Sequence, residues 1–248
     1  MQPLTSYIYD KLYTPTIDAH IHCIGGKEIP RTADIQVCAL NDWPDAPREK
    51  NYPEFKKFFK KKNKEDIVLG IGANNDEMFE MLKDDKFDGF GEFLGYKITK
   101  EDNVVKNMNI VKKVAEMTPK PIYLHYDLLP KNIDALEKFL KSTSNSKIVL
   151  THCGLSRRTD DKEVWKMFVR LINENSNLYG DISWHTLTYL VDNMELLKDC
   201  PQNKLICGTD CSERDSEEAL KHRKENFEKI AVKIPNTYNI KRLFQRGN

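Results

Sequence analysis

The sequence has little of what marks a membrane, secreted or nucleic-acid-binding chain. No stretch approaches the roughly 18 consecutive apolar residues of a membrane span. The opening residues, MQPLTSYIYDKLYTPT, lack both a basic start and a continuous apolar core, so they do not read as a secretory leader. Six cysteines in 248 residues form no CxxC pair and no dense framework, and a chain of this length folds without disulfide staples. Reduced thiols in a cytoplasmic protein are therefore expected. Net charge is lacking as well. Thirty-nine basic side chains against 38 acidic leave +1, too little to draw the whole chain to DNA or anionic lipid. Linkers, repeats and low-complexity boundaries are missing too, which argues for one domain over residues 1–248.

What is present is a series of short apolar or β-branched runs of strand length. They are TPTIDAHIHC (14–23), ADIQVCALN (33–41), DIVLGIGAN (66–74), FDGFGEFLGY (87–96), PIYLHYD (121–127), KIVLTHCG (147–154), LYGDIS (178–183) and KLICGTDCS (204–212). Charged amphipathic stretches at helical spacing lie between most of them, among them NVVKNMNIVKKVAEM, NIDALEKFLKS and KEVWKMFVRLINEN. Strand and helix alternate, and eight near-continuous apolar strands fit a single (β/α)8 TIM barrel better than an open doubly wound sheet. The first connection carries Gly25, Gly26 and Pro30 and reads as a loop or short helix. The basic run KKFFKKKNK (56–64) reads as the solvated face of a helix whose apolar face holds Phe55, Phe58 and Phe59.

Chemistry-bearing residues collect at the C-terminal ends of these runs. His20 and His22 close the first, two apart and so on one face of a strand. An HxH pair arises by chance often enough to mean little alone. Glu92 stands on the fourth run, His125 on the fifth, His152 on the sixth and Asp210 on the eighth. Any one of them fits a satisfied core residue. All six at the end of a barrel where active sites lie fit a metal centre, because a buried imidazole or carboxylate has to be paired, hydrogen-bonded or ligated. Imidazole and carboxylate donors suit zinc first, with manganese, iron or nickel as alternatives. Cys23, Cys153 and Cys211 each follow a site residue, and strand alternation turns them toward the helix layer as packing residues.

IDAHIHC, GFGEFLGY, YLHYD, LTHCG, CGTDCS and the closing NIKRLF, in that order over nearly the full length, resemble the amidohydrolase superfamily of metal-dependent barrel hydrolases. The resemblance implies that His20, His22 and His125 hold an ion, and that Asp210, as ligand or neighbour, moves the proton of a metal-activated water. It gives His152 one of two roles: orienting that water at a one-metal site, or binding a second ion with Glu92 as the bridge. A structural role for Glu92, capping backbone amides, stands beside the ligand role. Lys97 is a further candidate bridge. GEFLGY is similar to TatD-like deoxyribonucleases, whereas IDAHIHC and GTDCS are more like the branch of lactonases and decarboxylases. GT before the aspartate and HCG after LT depart from the usual TatD pattern.

Four residues are candidates for substrate contact: Arg157 and Arg158 beyond the sixth run, and Trp184 and His185 after the seventh. The arginines alternatively form a solvated loop pair, and His185 alternatively faces water. With Trp43 and Arg48 on another long loop, they point to a polar or anionic small molecule. The expected function is metal-dependent hydrolysis of an ester, lactone, amide or phosphoester. The alternatives are a TatD-like nuclease, a decarboxylase of an aromatic acid, and a non-catalytic ligand- or metal-binding barrel. No sequence feature sets the number of ions or the oligomeric state.

Overall fold

The computed structural model describes residues 16–22, 31–39, 64–70, 75–96, 104–157, 159–212 and 215–244. Nine strands form one parallel sheet: β1 (Ile17–His22), β2 (Ile35–Ala39), β3 (Ile67–Gly70), β4 (Gly89–Tyr96), β5 (Ile122–Tyr126), β6 (Ile148–Leu150), β7 (Leu178–Ile182), β8 (Leu205–Cys207) and β9 (Cys211–Ser212). Each of β1 to β8 pairs in parallel with its neighbour in sequence, and β9 pairs with β1. Only residues 208–210 separate β8 at one edge from β9 at the other. The sheet therefore curls into an α/β barrel.

The described helices are α1 (Asn75–Leu82), α2 (Val104–Met117), α3 (Ile133–Ser142), α4 (Asp161–Glu174), α5 (Trp184–Val191), α6 (Glu217–Ala231) and α7 (Asn236–Phe244). The first two βα connections, with the basic run, Trp43 and Arg48, lie largely outside the described residues, as do Cys23, Lys97 and Arg158. No described helix is long and apolar enough to cross a membrane.

Strand alternation sorts the apolar residues into two cores. Val68, Phe90, Ile122, Leu124, Ile148, Leu150, Leu178 and Ile182 meet the helices outside the sheet, among them Phe168 and Leu171 of α4. Ile17, Ala19, Val37, Leu69, Tyr123, Val149, Tyr179 and Ile206 fill the interior. Ile240 and Leu243 of α7, with Phe244 beside them, cover the N-terminal end of that interior core. Asn236 pins this helix there, donating to the carbonyls of Ile17 and Cys207 and accepting from the Cys207 amide. Opposite this plug, the C-terminal end of the barrel carries the polar residues.

Candidate metal centre

Strand alternation aims some of the site residues, and register shifts in β1 and β4 aim others. Ile17 and Ala19 of β1 face the interior, yet Ile21 belongs to the outer core. The pairing of β1 with β2 shifts register between Asp18 and Ile21, and this irregularity re-aims the chain. Without it His20 and His22 would alternate with Ile17 and Ala19 and face the helix side. With it, both point into the barrel. β4 carries a comparable shift between Phe90 and Phe93, around Glu92. In β5 and β7 the alternation is uninterrupted, so His125 follows Tyr123 inward and Asp181 follows Tyr179.

Two runs end earlier than their sequence suggests. Strand β6 stops at Leu150, and Thr151–Gly154 form a 3-10 turn in which His152 and Cys153 take φ values of 55° and 50°. The eighth run breaks at 208–210, where Asp210 has φ 56°. Such left-handed backbone is costly for residues with a side chain and gathers at functional sites. Cys153 thus sits in a turn instead of on a strand, buried, with its thiol directed to the Asp181 carbonyl. Cys211 is buried in β9.

The structure brings all six expected ligands together. Glu92 is central: its Oε2 lies 3.6 Å from His22 Nε2 and 4.0 Å from His20 Nε2, and its Oε1 lies 3.0 Å from His125 Nδ1 and 3.6 Å from His152 Nε2. Asp210 Oδ1 stands 2.9 Å from His22 Nε2 and 3.6 Å from His20 Nε2. Three donor sets emerge, His20, His22 and Glu92 on one side, Glu92, His125 and His152 on the other, and His20, His152 and Asp181, each with its atoms within 4.8 Å of one another. Thr151 donates to Glu92 Oε1 at 2.5 Å and so orients the shared carboxylate.

Charge is concentrated here. Burial opposes a proton on His20, but Asp181, then Asp210 and Glu92, outweigh it and raise its pKa to about 10. For His125 burial is likewise overcome, by Glu92 and then Asp127, to about 9. Asp210 is pulled down to about 2: burial opposes its charge, and His152, His22 and His20 overcome that. Glu92 also lies well below the usual carboxylate range, with His125 the chief cause against burial. Burial pushes His152 down.

These donors fit a divalent cation. His20 Nε2 is fully buried and makes no hydrogen bond among the described residues, while carboxylate oxygens face it at 3.6 and 4.0 Å. A buried nitrogen aimed at carboxylates suits a cation held between them.

The substrate candidates divide. Trp184, with φ 50°, packs its ring 5.2 Å from that of His152, and the Arg157 guanidinium lies 5.2 Å over the Trp184 ring. His185 lies in the first turn of α5 instead of on a loop, and its Nε2 is paired with both oxygens of Asp161 at 2.9 and 3.0 Å. His222 lies on α6, next to Asn226. Several contributors escape the sequence reading. Asp181 accepts from His20 Nδ1 at 2.7 Å, Ser183 lies between Asp181 and His152, and Asp127 stands 3.2 Å from His125 Nε2. Asp18 accepts from the His20 amide and from both the amide and hydroxyl of Thr209, tying β1 to the turn that presents Asp210. Asp181 carried a usable signal, being a carboxylate inside an apolar run, as Glu92 is.

No protein-family model matches the chain, and no curated protein matches it. Among solved structures it is similar to an amidohydrolase from Burkholderia multivorans with bound zinc, at 10% identity over 92% of this chain and 98% of that one, with a TM-score of 0.62. It is similar also to amidohydrolase 2 from Bifidobacterium longum subsp. infantis, at 10% identity over 92% and 98%, TM-score 0.51. A third is an uncharacterised TIM-barrel protein from Bordetella bronchiseptica, at 12% identity over 86% and 75%, TM-score 0.51. The chain shares the barrel fold of these structures. In this barrel the His, Glu and Asp cluster occupies the C-terminal ends of the parallel strands, where active sites of such barrels lie.

Proposed function

We propose that the chain is a metal-dependent hydrolase of the amidohydrolase superfamily, on a (β/α)8 barrel in which residues 205–212 count as one interrupted eighth strand. The observation that carries the reading is the central carboxylate of Glu92, with one oxygen toward His20 and His22 and the other toward His125 and His152. His20, His22, His125, His152, Glu92 and Asp210 are the ligand set, for zinc first. A divalent ion bound there would lower the pKa of a coordinated water to about 7 and polarise a carbonyl or phosphoryl oxygen.

The chain's own groups do the rest. Asp210, with Oδ1 beside His20 and His22, takes the proton of the attacking water and hands it to the leaving group. At a one-ion site His152 orients the reacting oxygen instead of ligating, and Trp184 walls the site beside it. Arg157, stacked on Trp184, receives an anionic group of a small-molecule ester, lactone, amide or phosphoester; Arg158 joins it by its place in the sequence. The pairing of His185 with Asp161 supports a role in shaping α5 over direct contact. Free, buried thiols at Cys38, Cys153, Cys200, Cys207 and Cys211 are compatible with a reducing, cytoplasmic setting.

One observation favours a second reading. A carboxylate shared between two histidine sets suits two ions, which moves phosphodiesters, and with them a TatD-like nuclease activity, up the order of substrates. The test is metal content per chain after loading with zinc or manganese, with His20→Ala/His22→Ala as control, followed by a panel of lactones, esters, amides, phosphodiesters and single-stranded DNA. Ion-dependent turnover, lost in the control, supports the proposal. Carbon dioxide release from an aromatic acid without water consumption would replace it by decarboxylation. Tight ion retention with no turnover would leave a binding barrel.

A further inference from the structure

We propose that Asp181 and Ser183 are positioning residues that form one hydrogen-bonded relay, orienting His20 and His152 together so that each ring presents Nε2 to the site; this rests on the metal reading above. The relay runs His20 Nδ1 to Asp181 Oδ2 at 2.7 Å, Ser183 Oγ to the same Oδ2 at 2.8 Å, and His152 Nδ1 to Ser183 Oγ at 2.9 Å.

Proton counting assigns every position in it. A carboxylate only accepts, so His20 donates from Nδ1 and Ser183 donates its single hydroxyl proton. The Ser183 oxygen then has only lone pairs left, and His152 has to donate to it from Nδ1. Both rings are thereby locked with Nδ1–H outward and Nε2 inward. Those Nε2 atoms are the ones that face the site, His20 Nε2 toward Asp210 Oδ1 and Glu92 Oε2, and His152 Nε2 toward Glu92 Oε1. The rings lie nearly parallel, 8° apart with centroids at 5.6 Å.

Three features point to this role. Asp181 and Ser183 are fully buried on the interior face of the seventh run. The other oxygen of Asp181, Oδ1, is buried without a hydrogen bond among the described residues, so the fold gains little from the carboxylate beyond its hold on His20 and Ser183. His152 sits in left-handed backbone, where its ring direction depends on outside partners: Ser183 on Nδ1 and Thr186 on its carbonyl. His20 belongs to one donor set around Glu92 and His152 to the other. A single relay therefore couples the two halves, and a carboxylate on the far nitrogen also raises the basicity of a ligating imidazole.

The test uses the full chain with 15N-histidine labelling, comparing wild type with Asp181→Asn and Ser183→Ala. Long-range proton–nitrogen spectra read the Nδ1 protons directly, with or without an ion, and competition with a chelator reads zinc affinity. The relay predicts slowly exchanging Nδ1 protons on both His20 and His152. Asp181→Asn should disturb both and lower zinc affinity roughly 10- to 100-fold. Ser183→Ala should expose only the His152 proton and weaken zinc less. Should Asp181→Asn not fold, Ser183→Ala decides alone, since it removes one hydroxyl. Unprotected Nδ1 protons in the wild type, or variants with unchanged spectra and affinity, would overturn the relay. A wild type that binds no ion but shows both protected protons and their loss in the variants would sink the metal reading and leave the relay standing.

Discussion

Glu92 is the residue on which most of the chemistry turns. Its two oxygens serve different histidine sets, and Thr151 holds one of them in place. Glu92→Gln keeps the shape and removes the charge, so ion content per chain should fall below that of the wild type loaded in the same way, read by elemental analysis. Unchanged content would reduce Glu92 to a structural acceptor. Asp210→Asn should leave the fold intact and lower kcat by about 100- to 10,000-fold on whichever substrate is turned over, the range expected for loss of a general acid–base. These roles were partly legible, since a charged or imidazole side chain at the end of an apolar run is conspicuous. Asp181 was equally conspicuous in LYGDIS, but its meaning lies in a partner 161 positions away.

At the scale of elements, turns and breaks place the reactive groups. Gly208 lies where a Cβ would come 2.4 Å from the His20 amide nitrogen, and that contact is backbone that cannot swing away. Gly208→Ala should cost about 1–3 kcal/mol of stability and weaken ion binding as well, measured by denaturant unfolding and metal competition. The N-cap of α4 offers a contrast. Asp160 accepts from the Lys162 and Glu163 amides, so Asp160→Ala should cost about 1 kcal/mol with ion content unchanged. Apolar runs announced the strands, and amphipathic spacing the helices. The early end of β6 was hidden, because His152 and Cys153 in left-handed backbone have no sequence signature as glycine would. The register shift in β1 was hidden too, since it shows only against a paired neighbour.

For the whole molecule, the barrel has an apolar plug at one end and a charged cluster at the other. Leu243, fully buried in α7 against the interior core, should cost about 2–5 kcal/mol on replacement by alanine, far from the site. Stability and ion binding are linked. A free ion at 100 times its Kd should stabilise the native state by about 2.7 kcal/mol, seen as a rise in Tm that chelator reverses and that His20→Ala/His22→Ala abolishes.

Alternation of strand and helix, a parallel sheet, and polar residues gathered at the strand ends were determined by the sequence itself. Run length, periodicity and local composition encode them, and these are properties of neighbours along the chain. Tertiary structure alone decided which way His20 and His22 face, that Glu92 lies between two histidine sets, and that Asp181 and Ser183 tie His20 to His152. Each of these depends on pairing register or on contacts between strands far apart in the chain, so it exists only once the sheet has curled and brought the strand ends together.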